Sequence, residues 1–242
     1  MDKTADVIVP VLNGVEVTQA CVESAVENAG MDFRFIFIDN GSDDGTQAYL
    51  QGYVEDCKDG QWHRYIRFEE NRYVAHALNV GIETSDADYL TFINNDLLFG
   101  PDWLSEMVRP IEEMEGKAFC TVPLLYYDKL RWEQAKHYLR HIRSHETQYV
   151  RLVGACFTLS RKCILEVGPF DDSYRVHYID TDYWLRMLAF RDRPVILASG
   201  ASVYHIGAYS HQFVPNIDKL KMEDGILFQK RFPDRRGSIS VN

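Results

Sequence analysis

Four apolar runs in the first half of the chain each stop at a polar turn, and helix-period stretches separate them. The runs are Asp6–Leu12, Phe33–Asp39, Trp62–Phe68 and Asp88–Ile93. Continuous apolar runs of this length predict strands buried on both faces, as in parallel sheets. Pro10 suits the end of its strand, because it removes one ladder donor. The first gap, Val15–Asn28, places Val17, Ala20, Cys21, Ser24 and Ala25 at helical spacing and is closed by Gly30. The second predicts a helix through Tyr49 to Asp56, capped by Asp43. The third, Asn71–Gly81, predicts a helix whose polar face carries Asn71, Arg72, His76 and Asn79. The order βαβαβαβ implies an α/β fold, a mostly parallel sheet with helices on both faces.

In open α/β sheets, ligands bind outside the carboxyl ends of the strands. Two strand ends draw attention on that ground. Tyr89–Ile93 runs into Asn94, Asn95 and Asp96. A carboxylate at such an edge can hold a hard divalent cation, and the cation can hold a diphosphate. Asn and Asp are also ordinary turn residues, so these eight residues alone read first as a polar turn. The second strand stops at Asp39-Asn-Gly-Ser-Asp-Asp-Gly-Thr46. There a carboxylate can accept from a base N–H or a ribose hydroxyl, or the stretch is a capped turn with no ligand.

The second half is less regular. Pro101–Met114 predicts a helix with Pro101 near its first turn, and Ala118–Leu124 a strand. Tyr126–Arg151 has mixed periodicity and reads as a hairpin or loop excursion. Within it, Lys129–Arg151 carries six Lys/Arg against Glu133 and Glu146, together with three histidines, Trp132, Tyr138 and Tyr149. That is either a solvated charged face or a surface for an anionic acceptor such as a phosphorylated glycan, a lipid phosphate or nucleic acid. Leu152–Ser160 is strand-like, and Gly154 and Ala155 allow close approach of a ligand or of backbone. A short helix over Arg161–Val167 and a turn over Gly168–Asp172 follow. Asp180 and Asp182 fall at a helix N-terminus, where the dipole favours carboxylates. Arg193–Leu197 and Ala201–His205 predict two short strands, and Pro215–Phe232 a charged amphipathic helix.

The totals exclude several classes. The chain has 242 residues, 46% apolar and 26% charged, an ordinary globular composition with length for a real core. A net charge of −10 disfavours a broad nucleic-acid or anionic-membrane surface. No apolar run approaches a membrane span, and no signal peptide is visible at Met1–Asp6. Five cysteines without a CxxC pair read as reduced thiols, giving a cytoplasmic expectation and no zinc signature.

Val9-Pro10-Val-Leu-Asn13, Ile38-Asp39-Asn-Gly-Ser-Asp-Asp-Gly-Thr46, Asn71…Asn79 and Asn94-Asn95-Asp96 occur in that order, each at a strand end or helix start. This series resembles the nucleotide-sugar half of family 2 glycosyltransferases of the GT-A fold. Farther on, Gly154-Ala155, Gly168-Pro-Phe170-Asp171, the Asp180–Arg186 stretch and His205 are similar to later segments of that family. One departure stands out. The usual acidic triplet is Asp-x-Asp or Asp-Asp-x, and here two of the three positions are neutral amides.

The resemblance implies one GT-A domain over 1–242. Its parts are a nucleotide-sugar half (1–97), an acceptor and catalytic half with a smaller mixed sheet (98–215), and a C-terminal helix and tail (216–242). It implies inverting transfer from a nucleoside diphosphate sugar, UDP- or dTDP-linked by preference, to a hydroxyl of a glycan, lipid, protein or modified nucleobase. It assigns the base to Asp180. Asp39, with main chain near Pro10 and Asn13, would hold base and ribose. Asn71, Arg72, His76, Asn79, Asn94, Asn95, Gly154 and Ala155 complete the donor set. Asp96 and His205 would hold Mn²⁺ or Mg²⁺. Trp103, Lys136, Arg140, Arg143 and Asp182 are candidate acceptor contacts. Two rivals are a sugar-phosphate nucleotidyltransferase, which would want a richer glycine loop than Val11–Gly14, and a non-catalytic nucleotide-sugar or glycan-binding protein with a degenerate metal motif. If the basic segment binds an anionic acceptor, neutralising Lys136, Arg140 and Arg143 together raises the acceptor KM and spares donor binding. An unchanged acceptor KM would rule that out.

Overall fold

The computed structural model describes residues 4–57, 63–114, 119–126, 148–190, 192, 194–207 and 209–233. Strands β1 (Ala5–Val11), β2 (Arg34–Asp39), β3 (Arg64–Arg67) and β4 (Tyr89–Ile93) alternate with helices α1 (Val15–Glu27), α2 (Thr46–Asp56) and α3 (Tyr73–Thr84). All three pairings among these strands are parallel, in the order β3-β2-β1-β4. Then come β5 (Leu97–Phe99), α4 (Trp103–Glu113), β6 (Cys120–Tyr126), β7 (Gln148–Tyr149), β8 (Cys156–Ser160), α5 (Arg161–Val167), α6 (Ile179–Met187), β9 (Val195–His205), a 3₁₀ turn (Tyr209–Phe213) and α7 (Ile217–Arg231). The mixed part joins the parallel part edge to edge through the antiparallel pair β4–β8, so one continuous sheet runs β3-β2-β1-β4-β8-β6-β9-β5, with β7 also on β9.

Strand alternation divides the core into two layers. Val7, Val9, Phe35 and Phe37 point to the face covered by α1, α2 and α4. Ile8, Ile36, Ile38 and Phe92 point to the face covered by α3, α5 and α6. A buried Asp6 carboxylate takes a two-pronged bond from Arg34 (2.6 and 2.9 Å) and ties β1 to β2. Gly81 lets α3 lie close on β1, because a Cβ there would stand 2.4 Å from Ile8 Cγ2.

Three sequence expectations need correction. The α2 turn is not capped by Asp43. Asp44 accepts from Thr46 N and Oγ1, and its other oxygen accepts from Gly14 N and Val15 N at the start of α1. One carboxylate therefore serves two helix starts, and those bonds draw its pKa below the ordinary value despite the opposing effect of burial. The two short strands at 193–205 are one strand, β9. Its register with β6 jumps from Pro123–Ala198 to Leu124–Ser202, so residues 199–201 bulge. Gly200 sits in that bulge against the Glu106 carboxylate, which a Cβ would displace. Finally, the three-residue β5 directly after Asp96 was not anticipated, since a run so short carries no period. Its pairing with β9 sets Leu97 opposite His205.

His63 precedes β3 and accepts Phe35 N–H at Nδ1 (2.9 Å) while its ring stacks on Tyr53. Burial pushes its pKa below the ordinary 6.5. The neutral ring is the form that folds, so its contribution is complete above pH 6.5 and is lost as pH falls through the folded value. The expected outcome is a fall in the urea midpoint on acidification below about pH 6.5. The pH slope should be shallower by about one proton in His63→Asn.

Candidate active site

The carboxyl ends of β1 and β4 border a cavity of about 590 Å³. Pro10, Val11, Leu12, Asn40 and Asn71 line one end, and Asn94, Asn95 and Asp96 its floor. Gly154 and Ala155, the loop Arg175–Tyr178, and Asp180 line the other side, with His205 and His211 closing it. Two of its bulky residues, Tyr73 and Tyr178, hold left-handed backbone angles (both φ 65°), a strained arrangement that surrounding structure must enforce.

Asp180 stands at the N-terminus of α6. Its Oδ1 accepts from Thr181 N (2.7 Å) and Oδ2 from Gly154 N (3.1 Å). Gly154 lies close against it. A Cβ would lie 3.3–3.4 Å from the Asp180 side chain. Arg151 donates to the Thr181 hydroxyl and its guanidinium lies over Trp184, so a cation borders the carboxylate.

Asp96 follows β4, and His205 ends β9. Asp96 Oδ2 accepts from Tyr209 N (3.2 Å). Its buried Oδ1 lies 3.2 Å from His205 Nε2, but no aligned donor reaches it among the described residues. A buried carboxylate oxygen without an aligned donor among the described residues, facing an imidazole nitrogen, on two residues that line the cavity, is a donor pair that fits Mn²⁺ or Mg²⁺. No third His, Cys, Asp or Glu joins them among the described residues. Further ligands would come from phosphate and water. His177 and His211 lie 6.4 Å apart, centroid to centroid, and burial and then the charge of Lys221 hold both below the ordinary 6.5.

The amides of the triplet have their own reason. Asn95 turns its NH₂ to the Asn13 carbonyl (3.2 Å) and to Thr18 Oγ1 (2.9 Å). A carboxylate could not donate to that carbonyl. Asn94 Nδ2 lies 3.4 Å from His205 Nε2.

Other predicted site residues have different tasks. Asp39 is fully buried and does not reach the cavity; its oxygens accept from Ser42 N, Tyr65 OH and Arg67. Its neighbour Asn40 lines the cavity instead. Asn13 joins two turns by exchanging bonds with Asp43, and does not line the cavity. Asn79 clasps both the N–H and C=O of Phe170. Arg72, which is exposed, and half-buried His76, whose ring packs tilted against Phe68, also lie outside the cavity lining. Trp103 cannot touch an acceptor: it is 0% exposed, donates to Ala25 O and packs on Phe99. Asp182 is likewise buried, paired with Arg186 (2.8 Å) and near Arg231 (3.7 Å). Lys136, Arg140 and Arg143 lie outside the described residues. Sequence reasoning missed Asn40, Tyr73, Arg151, Arg175, His177 and His211. Asn40 carried a signal as the residue after a polar strand end, and Arg151 as the last of the six Lys/Arg in the basic segment.

In an open α/β sheet the carboxyl ends of the strands, where this cavity lies, are the usual place of a ligand site. Residues 6–169 match glycosyl transferase family 2, and the chain belongs to that family. It is 23% identical over 213 residues to an uncharacterized glycosyltransferase of Rickettsia typhi, covering 80% of this chain and 62% of the relative. It is 25% identical over 185 residues to the uncharacterized glycosyltransferase YfnE of Bacillus subtilis, covering 74% and 44%. The chain thus spans about half the length of these relatives. Among solved structures, GalNAc-T7 with UDP, GalNAc and Mn²⁺ superposes with TM-score 0.66 at 15% identity, covering 84% of this chain and 44% of that one. S. aureus TarS gives 0.65 at 14%, covering 84% and 36%. The fold is the GT-A fold. Among the described residues, no helix is long and apolar enough to cross a membrane.

Asn95→Asp, which restores a carboxylate to the triplet, is expected to destabilise the protein by about 1–3 kcal/mol, because it sets a carboxylate against the Asn13 carbonyl. Urea unfolding measures this. A variant as stable as wild type would show that the amide at 95 has no structural cause.

Proposed function

We propose that the protein transfers a sugar from a nucleoside diphosphate sugar to an acceptor hydroxyl with inversion, a UDP- or dTDP-sugar being favoured. One observation carries this reading: Asp180, from the second half of the chain, and the Asp96–His205 pair line the same cavity. The solved GalNAc-T7 structure, which holds UDP and Mn²⁺, supports a nucleotide-sugar donor.

In this reading the nucleoside lies against the main chain of Pro10–Leu12 and the amides of Asn40 and Asn71. Asp96 and His205 hold Mn²⁺ or Mg²⁺, which when bound offsets the charge that gathers on the departing diphosphate. Asp180 accepts the proton of the acceptor hydroxyl as that oxygen bonds to the anomeric carbon. The bond from that carbon to the phosphate oxygen breaks in the same displacement, so the centre inverts. The Gly154 and Thr181 amides fix the carboxylate's direction, and Arg151 beside it suits an acceptor with anionic character. We take residues 1–242 to act as one catalytic domain. We place it in a reducing compartment, the cytoplasm, because its five cysteines are free.

The test is thermal unfolding with UDP, dTDP or GDP, each with and without Mn²⁺. A metal-dependent rise with one nucleotide is expected; saturation at a hundred times Kd is worth about 2.7 kcal/mol. No rise with any nucleotide overturns the donor site. Asp180→Asn should keep that rise and lose about 10²–10⁴-fold in kcat for donor turnover. Retained turnover would remove Asp180 as base.

A further inference from the structure

One face of α7 grips the segment that carries Asp180. Asp224, Phe228 and Arg231 recur at helical spacing, so they share that face. Asp224 is 2% exposed, and its carboxylate accepts from three successive backbone amides: Arg175 N (3.1 and 3.2 Å), Val176 N (2.7 Å) and His177 N (2.8 Å). Successive amides converging on one point make a concavity of the kind that binds anions. Here the chain supplies its own anion from 47–49 residues away. One turn on, Phe228 stacks on Tyr178 (4.5 Å, 17°), the residue held at φ 65° directly before α6. Arg231 then pairs with Asp171 and reaches Asp182, inside the same helix as Asp180. The three contacts span 171–182, from the turn before the cavity loop to the first turns of α6.

We propose that Asp224 is a positioning residue and that α7 is the clamp that sets Asp180. The carboxylate fixes the peptide planes of 175–177. That turns Arg175 and His177 toward the cavity and forces Tyr178 into its left-handed angle. Tyr178 in turn fixes where α6 begins, and hence where Asp180 points. Asp224 touches neither donor nor acceptor; it acts through the loop. This rests on the assignment of Asp180 as base, so the test has one arm that needs no turnover.

Asp224→Asn is isosteric, but in either orientation its NH₂ faces a backbone N–H, that of Arg175 or those of Val176 and His177. Hydrogen exchange of the free protein is expected to quicken at least tenfold at 175–182, while amides of β1, β2 and β4 keep wild-type rates. In donor turnover, kcat should fall at least tenfold with the nucleotide-induced thermal shift unchanged. Met222→Ala, on the exposed side of the same helix (62% exposed), should match wild type in both. Unchanged exchange at 175–182 in Asp224→Asn overturns the clamp. So does faster exchange spread evenly over the chain, which would make Asp224 a general stabiliser. Local loosening with unchanged kcat would show that the clamp exists but does not position the base. If wild type itself neither binds nucleotide nor turns over donor, the functional reading fails, and the exchange arm still decides the clamp.

Discussion

The parallel pairing of β1 with both β2 and β4 is the constraint from which the rest follows. Chain order runs outward from β1 to β2 and β3, then returns to β4 on β1's other side. The crossovers through α1 and α2 pack on one face and the return through α3 on the other, as the right-handed rule for such connections requires. Between β1 and β4 the helices part to opposite faces and leave a crevice at the strand ends. Pro10 and Asn94–Asp96 stand at that crevice because they end those two strands. The cavity is thus a consequence of strand order before it is a consequence of chemistry.

What closes the crevice comes from the antiparallel half. β8 adds to β4 and places Gly154 and Ala155 beside the triplet; Asn94 N bonds to Ala155 O at the seam. β9 bulges at 199–201 and then pairs with β5, so His205 arrives next to Asp96. The charged groups sort by partner. Asp39, Asp182 and Asp224 are buried and have their oxygens engaged by hydrogen-bond donors of the fold. Asp96 keeps one oxygen without an aligned donor among the described residues, and Asp180 lines the cavity. Carboxylates of one residue type therefore divide into those whose oxygens the fold has engaged and those that face the cavity. The same reasoning accounts for Asn95, an amide where a carboxylate is usual, because the nearest group to satisfy is an acceptor.

Regions far apart in sequence hold the site still. Asn79 on α3 clasps Phe170, Asp44 joins the starts of α1 and α2, and α7 grips 171–182 from beyond both halves of the sheet. Each is a short-range hydrogen bond bridging a long sequence separation, so each makes the loops around the cavity depend on the completed fold. The strained angles at Tyr73 and Tyr178 survive on that support.

The sequence by itself determined the alternation of strands and helices in the first half, the four polar strand ends and the family, and through the family resemblance it pointed to Asp96, Asp180, His205 and Gly154, which line one cavity. Strand periodicity and turn chemistry are local, and local patterns survive in a linear text. Only the tertiary structure decided which polar residues were spent on folding. Asp39, Asn13, Asn79, Trp103 and Asp182 look like ligand residues in one dimension. Their partners, such as Arg67, Phe170, Ala25 and Arg231, lie 28, 91, 78 and 49 positions from Asp39, Asn79, Trp103 and Asp182. The register shift that makes 195–205 one strand, and the meeting of Asp224 with the 175–177 amides, were hidden for the same reason. Hydrogen-bond satisfaction is a property of neighbours in space, and the chain chooses those neighbours only when it folds.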